Sequence, residues 1–363
     1  MTTQTIASPP VEAQPDDGAL PANAPPPRRG RGVPVALILL PLAALAALLI
    51  HRLTPNHQTD LPTHLYPMLL VALGGVGILV LALHLIWGRT QAVAIVAGGG
   101  QTEYSMAAVS RWFTAKAPLA TAGICVLCIW DLITLKLALV PLPFFPGPDM
   151  ILQCLRDDWP LIFNCTWHSL LLLFCGYSLG AIAGVTSGVL IGWSSNWRYW
   201  GMPVLKVIGP IPATAFIPLA LMLFTSAFAA GTALIALAVW FPVAMLTTSG
   251  VANVRKPLID VARTLGAGTS YLIFRVAIPA ALPSIFVGLF MGLGTSFITL
   301  NVAETVGVPS GLGWYITWAK EYADYPKVYA ALVIMAVFFS GIITLLFKVR
   351  DRVLVYQKGT LKW

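Results

Sequence analysis

The sequence predicts an all-α protein that crosses a membrane several times. Of its 363 residues, 58% are hydrophobic and only 10% are charged. A soluble domain carries about 25% charged residues, so this chain lacks the polar side chains that a water-facing surface needs. The hydrophobic residues also form long continuous runs, which is typical of membrane helices and not of an outer-membrane barrel or a disordered chain.

Eight hydrophobic stretches are long enough to cross a bilayer, which takes about 20 residues in a helix. They cover residues 33–50, 66–87, 117–134, 167–193, 203–225, 230–250, 282–303 and 328–347. Residues 1–32 form a polar, Pro- and Ala-rich tail that we expect to be disordered, because it cannot bury enough apolar surface. The tail ends in three arginines, as a twin-arginine or secretory signal would. The first stretch is long for a signal, so we predict a retained membrane helix.

The third stretch contains two charged residues near its end, Asp131 and Lys136. We predict that its helix ends near Ile133, so that both side chains reach the outer membrane interface. A buried pair is the alternative. The spacing of five residues argues against it, because it places the two side chains on different faces of an α-helix.

The positions of Lys and Arg predict the orientation of the spans. With the N-terminus in the cytoplasm, most of the 22 basic residues lie on the cytoplasmic side, as the positive-inside rule requires. The basic residues left outside are Arg52, Arg156, Lys320 and Lys327. We therefore predict eight spans with both termini in the cytoplasm. The net charge of +8 reflects this topology and does not indicate nucleic-acid binding.

A stripe of glycines marks the fourth stretch. Its members recur at every fourth position: Gly176, Gly180, Gly184, Gly188 and Gly192. Four residues turn a helix by about 400°, so the glycines form one slowly drifting line that lets another backbone approach closely. Gly288, Gly292 and Ser296 repeat the pattern in the seventh stretch. The stripe is predicted either to pack against a helix of the same chain or to form a subunit interface.

The loop between the sixth and seventh stretches is much longer than a simple connector of about four residues. It is predicted to form a short helix from Leu258 to Leu265, which Gly266 ends with a positive φ. A second amphipathic piece follows from Thr269 to Ala277, and Pro279 and Pro283 close it. A structured basic loop of this kind predicts a docking surface for a cytoplasmic partner.

This loop resembles the EAA motif of binding-protein-dependent ABC importer permeases. Asp260-Val261-Ala262 stands where the family has Glu-Ala-Ala, Gly266 stands at its glycine, and Ile278-Pro279 at its hydrophobic-Pro pair. Asp260 is shorter than the usual glutamate, and Val261 replaces an alanine.

Other segments extend the resemblance over about residues 125–357. The flanks ARTLGA and PAALPSI look like the nitrate/sulfonate/taurine subfamily. FFPGPDMI at 144–151 and VAETVGVPSGLGWYI at 302–316 are similar to further segments of that family. Residues 1–115 have no counterpart in its six-span core.

The resemblance implies a fold and a domain order. Residues 116–363 would form the six-helix core of a type I (MetI-like) permease, with a coupling loop at 252–281. Residues 33–115 would then supply two extra transmembrane helices after the cytoplasmic tail. The residues implied to couple the chain to an ATPase are Asp260, Val261, Ala262, Arg263, Leu265, Gly266, Ile278 and Pro279.

The resemblance also implies a function. The chain would be a permease subunit in a bacterial inner membrane, and it would form the path for a small solute delivered by an extracytoplasmic binding protein. Nitrate, a sulfonate, taurine or bicarbonate is the expected solute. ATP and Mg would bind to partner ATPase subunits, since the chain has no Walker A sequence and is not expected to be an enzyme. A second permease copy is expected, most simply as a homodimer, although the sequence does not separate two identical copies from two different ones.

The fifth and seventh stretches carry the residues predicted to line the path. Pro210 and Pro212 break the fifth helix, and irregular backbone at membrane depth is tolerated where it lines a cavity. The polar residues that can bind a solute, or bond between helices, are Thr214, Ser296, Thr299 and Asn301. Glu304, at the outer end of the seventh stretch, either lines the path or anchors the following loop.

Two other classes remain open from the sequence. A secondary transporter driven by an ion gradient would need carboxylates at mid-depth, whereas the clearest acidic residues here fall near helix ends. A membrane enzyme would need a metal or nucleophile cluster. His51, His57 and His64 share one predicted outer loop but lack clustered carboxylates. Cys125 and Cys128 form a CxxC inside an apolar run, where packing is favoured over metal binding.

Overall fold

A computed structural model describes residues 35–56, 64–97, 103–140, 142–305 and 308–355, and the regular structure in these ranges is helical throughout. The α-helices are α1 (Val35–Leu53), α2 (Leu65–Ala97), α3 (Glu103–Asp131), α4 (Pro148–Asp157), α5 (Trp159–Trp193), α6 (Ser195–Ile208), α7 (Ile217–Leu223), α8 (Ala227–Ala252), α9 (Lys256–Thr264), α10 (Thr269–Tyr271), α11 (Ile278–Thr305), α12 (Leu312–Glu321) and α13 (Tyr325–Val353). The predicted disordered tail, residues 1–32, lies outside the described residues.

Six helical segments in the described residues are long and apolar enough to cross a membrane. They are Leu65–Ile86, Ala115–Lys136, Trp159–Trp193, Ala227–Ala252, Thr269–Thr305 and Tyr325–Val353. The predicted fifth stretch forms two helical segments that meet at an angle of 86°. The first is α6, and the second consists of a 3-10 turn and α7. The predicted first stretch is a shorter apolar helix, Leu37–Leu53.

The glycine stripe of α5 packs against α8 of the same chain. A Cβ built on Gly180 would lie 2.5 Å from the carbonyl oxygen of Ala236, and one on Gly188 would lie 2.6 Å from the Cβ of Thr247. Along the stripe, the side chains met on α8 advance in the same steps of four: Ile235, Val239, Val243, Thr247 and Val251. Of the two predicted uses, the structure therefore shows packing within the chain.

The register of this contact fixes the directions of the helices. Contact positions on α5 and α8 rise together, so the two helices run in the same direction. Two spans that run in the same direction both start on the same side of the membrane, so the chain must cross the membrane between them. The bent pair α6–α7 must therefore carry the chain across the membrane and cannot turn back to the same side. In contrast, Gly288 and Gly292 of α11 meet Val243 and Val239 in reverse order, so α11 runs antiparallel to α8.

The first three helices form a cluster of their own. Ala44, Tyr66, Leu70 and Ile124 are buried together where α1, α2 and α3 meet. Tyr66 links this cluster to α4, because its backbone N–H donates to Oδ1 of Asp149 at 2.7 Å. The additional helices are thus packed onto the helix that leads into the rest of the chain.

A buried polar contact joins α1 to the end of α3. Asp131 and Lys136 are only 2% and 5% exposed, so the prediction that they reach the outer interface is wrong. Asp131 Oδ2 lies 2.9 Å from Nδ1 of His51 in α1. The Lys136 ammonium donates to the carbonyl oxygens of His51 and Thr54 and to Oδ1 of Asn56, each at 2.7 Å. Lys136 thus caps the C-terminal end of α1, where the helix dipole favours a cation.

A π-helical turn over Leu132–Lys136 explains this difference. In a π-helix the hydrogen bonds join residues five apart, so positions that an α-helix separates come onto one face. His51, predicted in a loop, belongs to the last turn of α1 and is buried. His64 is exposed before α2, and His57 lies outside the described residues. Within the described ranges, no three metal-binding side chains form a group.

Removing the Lys136 ammonium should destabilise the α1–α3 contact. In a Lys136→Met variant, two main-chain oxygens and one amide oxygen lose their donor, and an unsatisfied buried group costs about 1–3 kcal/mol. We expect a clear fall in the thermal unfolding temperature of the detergent-solubilised protein. Lys116→Met on the exposed face of α3 is the matched control. Equal unfolding temperatures for the two variants would show that the contact adds no stability.

A methyl group on the glycine stripe should separate α5 from α8. The Cβ of a Gly184→Ala variant would lie 2.7 Å from Val243 Cβ and 3.0 Å from the Trp240 carbonyl oxygen. Overpacking of this kind costs about 1–3 kcal/mol. Gly341→Ala in α13 is the control, because nothing lies within 4 Å of its Cβ. Thermal unfolding should distinguish the two, and an unchanged Gly184→Ala variant would contradict the close contact.

Candidate functional site

The loop between α8 and α11 forms the predicted helix–Gly–helix. The predicted first helix is α9, and Gly266 follows it with a φ of +82°, as expected for a residue that ends a helix in the left-handed region. The second piece begins at Thr269 as predicted. Pro279 and Pro283 do not close it, however, because one continuous helix runs over Thr269–Thr305.

A π-helical turn explains why the prolines do not end this helix. The turn covers Leu272–Ala277, just before Pro279. In membrane helices, local π adjustments re-satisfy the backbone groups that a proline leaves free. The second piece of the loop and the seventh span therefore form one continuous helix.

An apolar groove opens between the two arms of this loop. Leu258, Val261 and Leu265 are 51%, 60% and 82% exposed on one side of α9, as their spacing of three and four residues requires. The groove holds about 470 Å³, and Tyr271 and Arg275 line its other wall. Because α9 lies in a basic loop between two spans, apolar side chains this exposed fit a surface for a partner.

The predicted coupling residues divide between the groove and its surroundings. Those that line the groove are Val261, Ala262, Leu265 and Gly266. Asp260 and Arg263 are exposed. Since each residue turns a helix by about 100°, they project from the side of α9 away from Leu258. Ile278 and Pro279 start α11 and are half-buried, outside the groove.

A second candidate site is an open cleft of about 710 Å³ where the bent pair meets α8 and α11. The chain leaves α6 at Ile208 and re-forms a 3-10 turn over Ala213–Phe216, so irregular backbone borders the cleft. Of the predicted path residues, Pro212, Thr214 and Thr299 line it, and Pro210 does not. The break predicted from the two prolines thus produces a cavity wall.

The lining of this cleft is mostly apolar. Ile211, Phe241, Met291 and Ile298 are representative, and none of the described residues that line it is charged. The polar side chains of the lining are three threonines, Thr214 in the 3-10 turn and Thr295 and Thr299 in α11. A cleft of this kind matches the concave, mainly apolar sites that bind small molecules.

Gly294 and Thr295 are among the cleft residues that sequence reasoning missed. Thr295 Oγ1 donates to the carbonyl oxygen of Ala238 at 3.0 Å, and Thr299 Oγ1 donates to that of Thr295 at 3.0 Å. A signal was present: the run Gly292-Leu293-Gly294-Thr295 in the middle of a span contains a glycine outside the four-residue repeat. That glycine faces open space, with nothing within 4 Å of its Cβ.

The remaining predicted path residues lie away from the cleft. Ser296 is fully buried, and its hydroxyl donates to the carbonyl oxygen of Leu293 at 2.6 Å. Asn301 is partly buried and has an unpaired Oδ1. Glu304 is 1% exposed at the opposite end of the bundle from α9.

Glu304 binds two neighbouring elements. Its Oε1 accepts from the Ser169 hydroxyl of α5 at 2.5 Å, and its Oε2 accepts from the backbone N–H of Gly313 in α12 at 2.7 Å. The Ser169 hydroxyl oxygen in turn accepts from the N–H of Leu312 at 2.9 Å. Of the two roles predicted for Glu304, this geometry supports the anchor of the following loop.

Further along α12, a second polar contact holds the helix. Tyr315 donates to Oδ2 of Asp158 at 2.7 Å, and Lys327 Nζ lies 3.2 Å from the same oxygen. Burial raises the pKa of Tyr315, and its hydrogen bond to Asp158 and the nearby Cys154 raise it further. The phenol therefore keeps its proton and remains a donor.

These features define a class of protein. A helical membrane bundle with a broken span beside a cleft, and a structured loop that exposes an apolar groove, is a transport subunit with a docking surface for a partner. Comparison with known proteins supports this class and gives the family.

Residues 176–354 match the family described as binding-protein-dependent transport system inner membrane component. A probable ABC transporter permease of Brucella melitensis is 32% identical over 211 residues, covering 57% of this chain and 84% of that protein. A putative aliphatic sulfonates transport permease of Bacillus subtilis is 35% identical over 162 residues, covering 45% and 59%. A nitrate import permease of Synechocystis is 30% identical over 216 residues, covering 55% and 75%.

The chain belongs to the family of binding-protein-dependent ABC transport permeases. The predicted family, fold class and role as a transport subunit without enzymatic activity are confirmed. The chain is thus a multi-span inner-membrane protein of an ABC importer, which works with a separate ATPase and a binding protein. The comparisons give no support to an ion-gradient-driven secondary transporter.

The turn at Gly266 should be required for docking of the ATPase. A Gly266→Val variant must hold a side chain in the left-handed region, at a cost of about 1–2 kcal/mol, or give up the turn. We expect the affinity of the solubilised permease for its ATPase to fall by about 5–30-fold, measured by titration. Gly341→Val is the control, since Gly341 lies on α13 outside the groove and nothing lies within 4 Å of its Cβ. Equal affinities would contradict a role for this turn.

Proposed function

We propose that the chain forms the translocation path for an organic anion with an apolar body, of the organosulfonate class, in an ATP-driven importer. Relatives are named for aliphatic sulfonates and for nitrate, so these are the two solute classes to compare. The observation that carries the proposal is the uncharged, mainly apolar cleft between the bent pair, α8 and α11.

The cleft offers little to a small inorganic anion. The hydroxyl protons of Thr295 and Thr299 already bond to backbone carbonyls. Nitrate would lose its water shell there and gain few donors in return, chiefly the Thr214 hydroxyl, and a poorly paired buried charge is costly. A sulfonate with an alkyl or aromatic body can instead place that body against Phe241 and Met291, where each buried CH₂ contributes about 0.8 kcal/mol.

The groove of the α8–α11 loop supports a coupling role. An exposed apolar strip on one side of α9, with Asp260 and Arg263 on the other side, suits a short helix that enters a cleft on an ATPase, where both charged side chains can form hydrogen bonds. ATP and Mg bind to that partner in this proposal. Because α10 and α11 form one continuous helix, closure of the ATPase moves the wall of the translocation cleft directly, as a rigid body.

Charge supports the orientation. The loop that holds the groove carries Arg255, Lys256, Arg263 and Arg275, so we place it, together with both termini, in the cytoplasm. Two identical permease copies would then each present one groove to one of two ATPase subunits.

Filling the cleft should block transport without loss of the fold. In a Gly294→Leu variant the new side chain projects into open space at the cleft, whereas in Gly341→Leu it projects into open space on α13. We expect ATP-dependent uptake of labelled butanesulfonate into proteoliposomes holding the complete transporter to fall at least tenfold in the first variant only.

The same assay tests the solute class. The parent transporter should take up butanesulfonate in preference to nitrate. Uptake of nitrate without sulfonate would overturn the proposed solute. Uptake that follows an ion gradient with no ATPase present would overturn the importer itself.

A further inference from the structure

One helix carries three surfaces that act at different depths of the membrane. The continuous helix over Thr269–Thr305 lines the loop groove through Tyr271 and Arg275 at its start. It lines the cleft through Thr295 and Ile298. It ends beside Glu304, whose carboxylate is bound by α5 and α12. At a rise of about 1.5 Å per residue, an element of this length can reach from one membrane face to the other.

A push at one end of a rigid rod moves its middle along a defined path only if the far end is held. With a free far end, a push at the groove would tilt or slide the whole helix and leave the cleft wall in an undefined place. With a fixed far end, the same push turns the helix about that end and moves the cleft wall by a defined amount. The contacts at the end of α11 therefore bear on how ATP hydrolysis is coupled to transport.

The contacts around Glu304 have the properties of such a fixed point. Both carboxylate oxygens are used, and the two N–H groups that start α12, those of Leu312 and Gly313, are bound by Ser169 and Glu304. These N–H groups have no partner inside their own helix, and a carboxylate at this end also meets the helix dipole favourably. The bonds thus satisfy α5, α11 and α12 together.

Two glycines allow the chain to close over the carboxylate. Gly311 has a φ of +138°, and a Cβ there would lie 2.5 Å from the Glu304 Cδ. A Cβ on Gly313 would lie 2.7 Å from the Asn301 carbonyl oxygen. Any larger side chain at either position would displace the buried carboxylate or the end of α11.

The helix α12 is itself held firmly by other parts of the chain. Its buried Leu312 and Tyr315 pack against Ile162 and Cys165 of α5 and against Met335 of α13. The hydrogen bond from Tyr315 to Asp158 adds a second attachment to the start of α5. Glu304 therefore binds α11 to a part of the bundle that is independently fixed.

We propose that Glu304 and Ser169 are positioning residues that anchor the outer end of α11 to α5 and α12, so that a displacement at the loop groove moves the cleft wall. The proposal rests on the proposed function and adds to it the contacts that fix the outer end of α11. It predicts that breaking the anchor separates ATP hydrolysis from solute import while both sites stay intact.

The test uses the complete transporter in proteoliposomes, with ATP hydrolysis and butanesulfonate import measured in the same sample. Glu304→Gln replaces one acceptor oxygen with an NH₂ group, which cannot accept from Ser169 or from Gly313. We expect import to fall about tenfold, as the loss of a hydrogen bond to a charged group implies. We expect hydrolysis stimulated by the loaded binding protein to stay within twofold of the parent.

Ser169→Ala should act in the same direction, and the double variant should be little worse than Glu304→Gln alone, because both changes break one unit. Glu321→Gln, an exposed carboxylate on α12, is the control and should change neither quantity. If Glu304→Gln does not assemble with the ATPase, Ser169→Ala carries the test.

The outcomes separate the two proposals. An unchanged ratio of ATP hydrolysed to sulfonate imported in assembled Glu304→Gln and Ser169→Ala complexes would overturn the anchor, including the case in which both quantities fall together. A parent complex that imports no sulfonate with ATP would instead overturn the proposed function.

Discussion

The close contact between α5 and α8 determines the arrangement of the other membrane helices. Five glycines without side chains let the backbone of α8 approach, and the shared step of four residues fixes both the register and the parallel direction. Between two parallel spans the chain must cross the membrane an odd number of times, so it returns through the bent pair α6–α7. The cleft follows from this, since a span that bends by 86° cannot fill the space beside α8 and α11.

The buried charged groups near the ends of α3 and α11 lie where neighbouring helices bond to them. Within hydrocarbon an unpaired polar group costs several kcal/mol, so each one constrains its surroundings. Asp131 and Lys136 hold α1, and Glu304 with Ser169 holds α12. The cleft is the opposite case, because it is spacious and its lining carries no charge among the described residues. Polar contacts fix the ends of the helices, whereas the cleft between them has an uncharged lining. A solute is therefore not held tightly in the cleft and can move on.

Much of this fold could be predicted from the sequence, because long apolar runs and glycine spacing depend on local chemistry. Six of the eight predicted stretches, which are long apolar helices in the structure, the turn at Gly266 and the break at Pro212 are of this kind. The two π-helical turns could not be predicted, since nothing local distinguishes them from an α-helix. Each one caused an error: the burial of Asp131 and Lys136, and the helix that continues past Pro279. The cleft lining was only partly foreseen, because the exposure of Gly294 depends on where a distant bent pair lies.

The cap that Lys136 forms on α1 has a consequence for biosynthesis. An Asp or a Lys within a membrane segment makes insertion less favourable, so the end of α3 inserts more readily when a partner for its charged residues is already present. The carbonyl oxygens of His51 and Thr54, which accept from Lys136, belong to a helix that leaves the ribosome first. A growing chain therefore holds the partner of its third helix in the bilayer before that helix is made. The order of the sequence therefore favours this order of assembly, because α1 is available as a partner when α3 enters the bilayer.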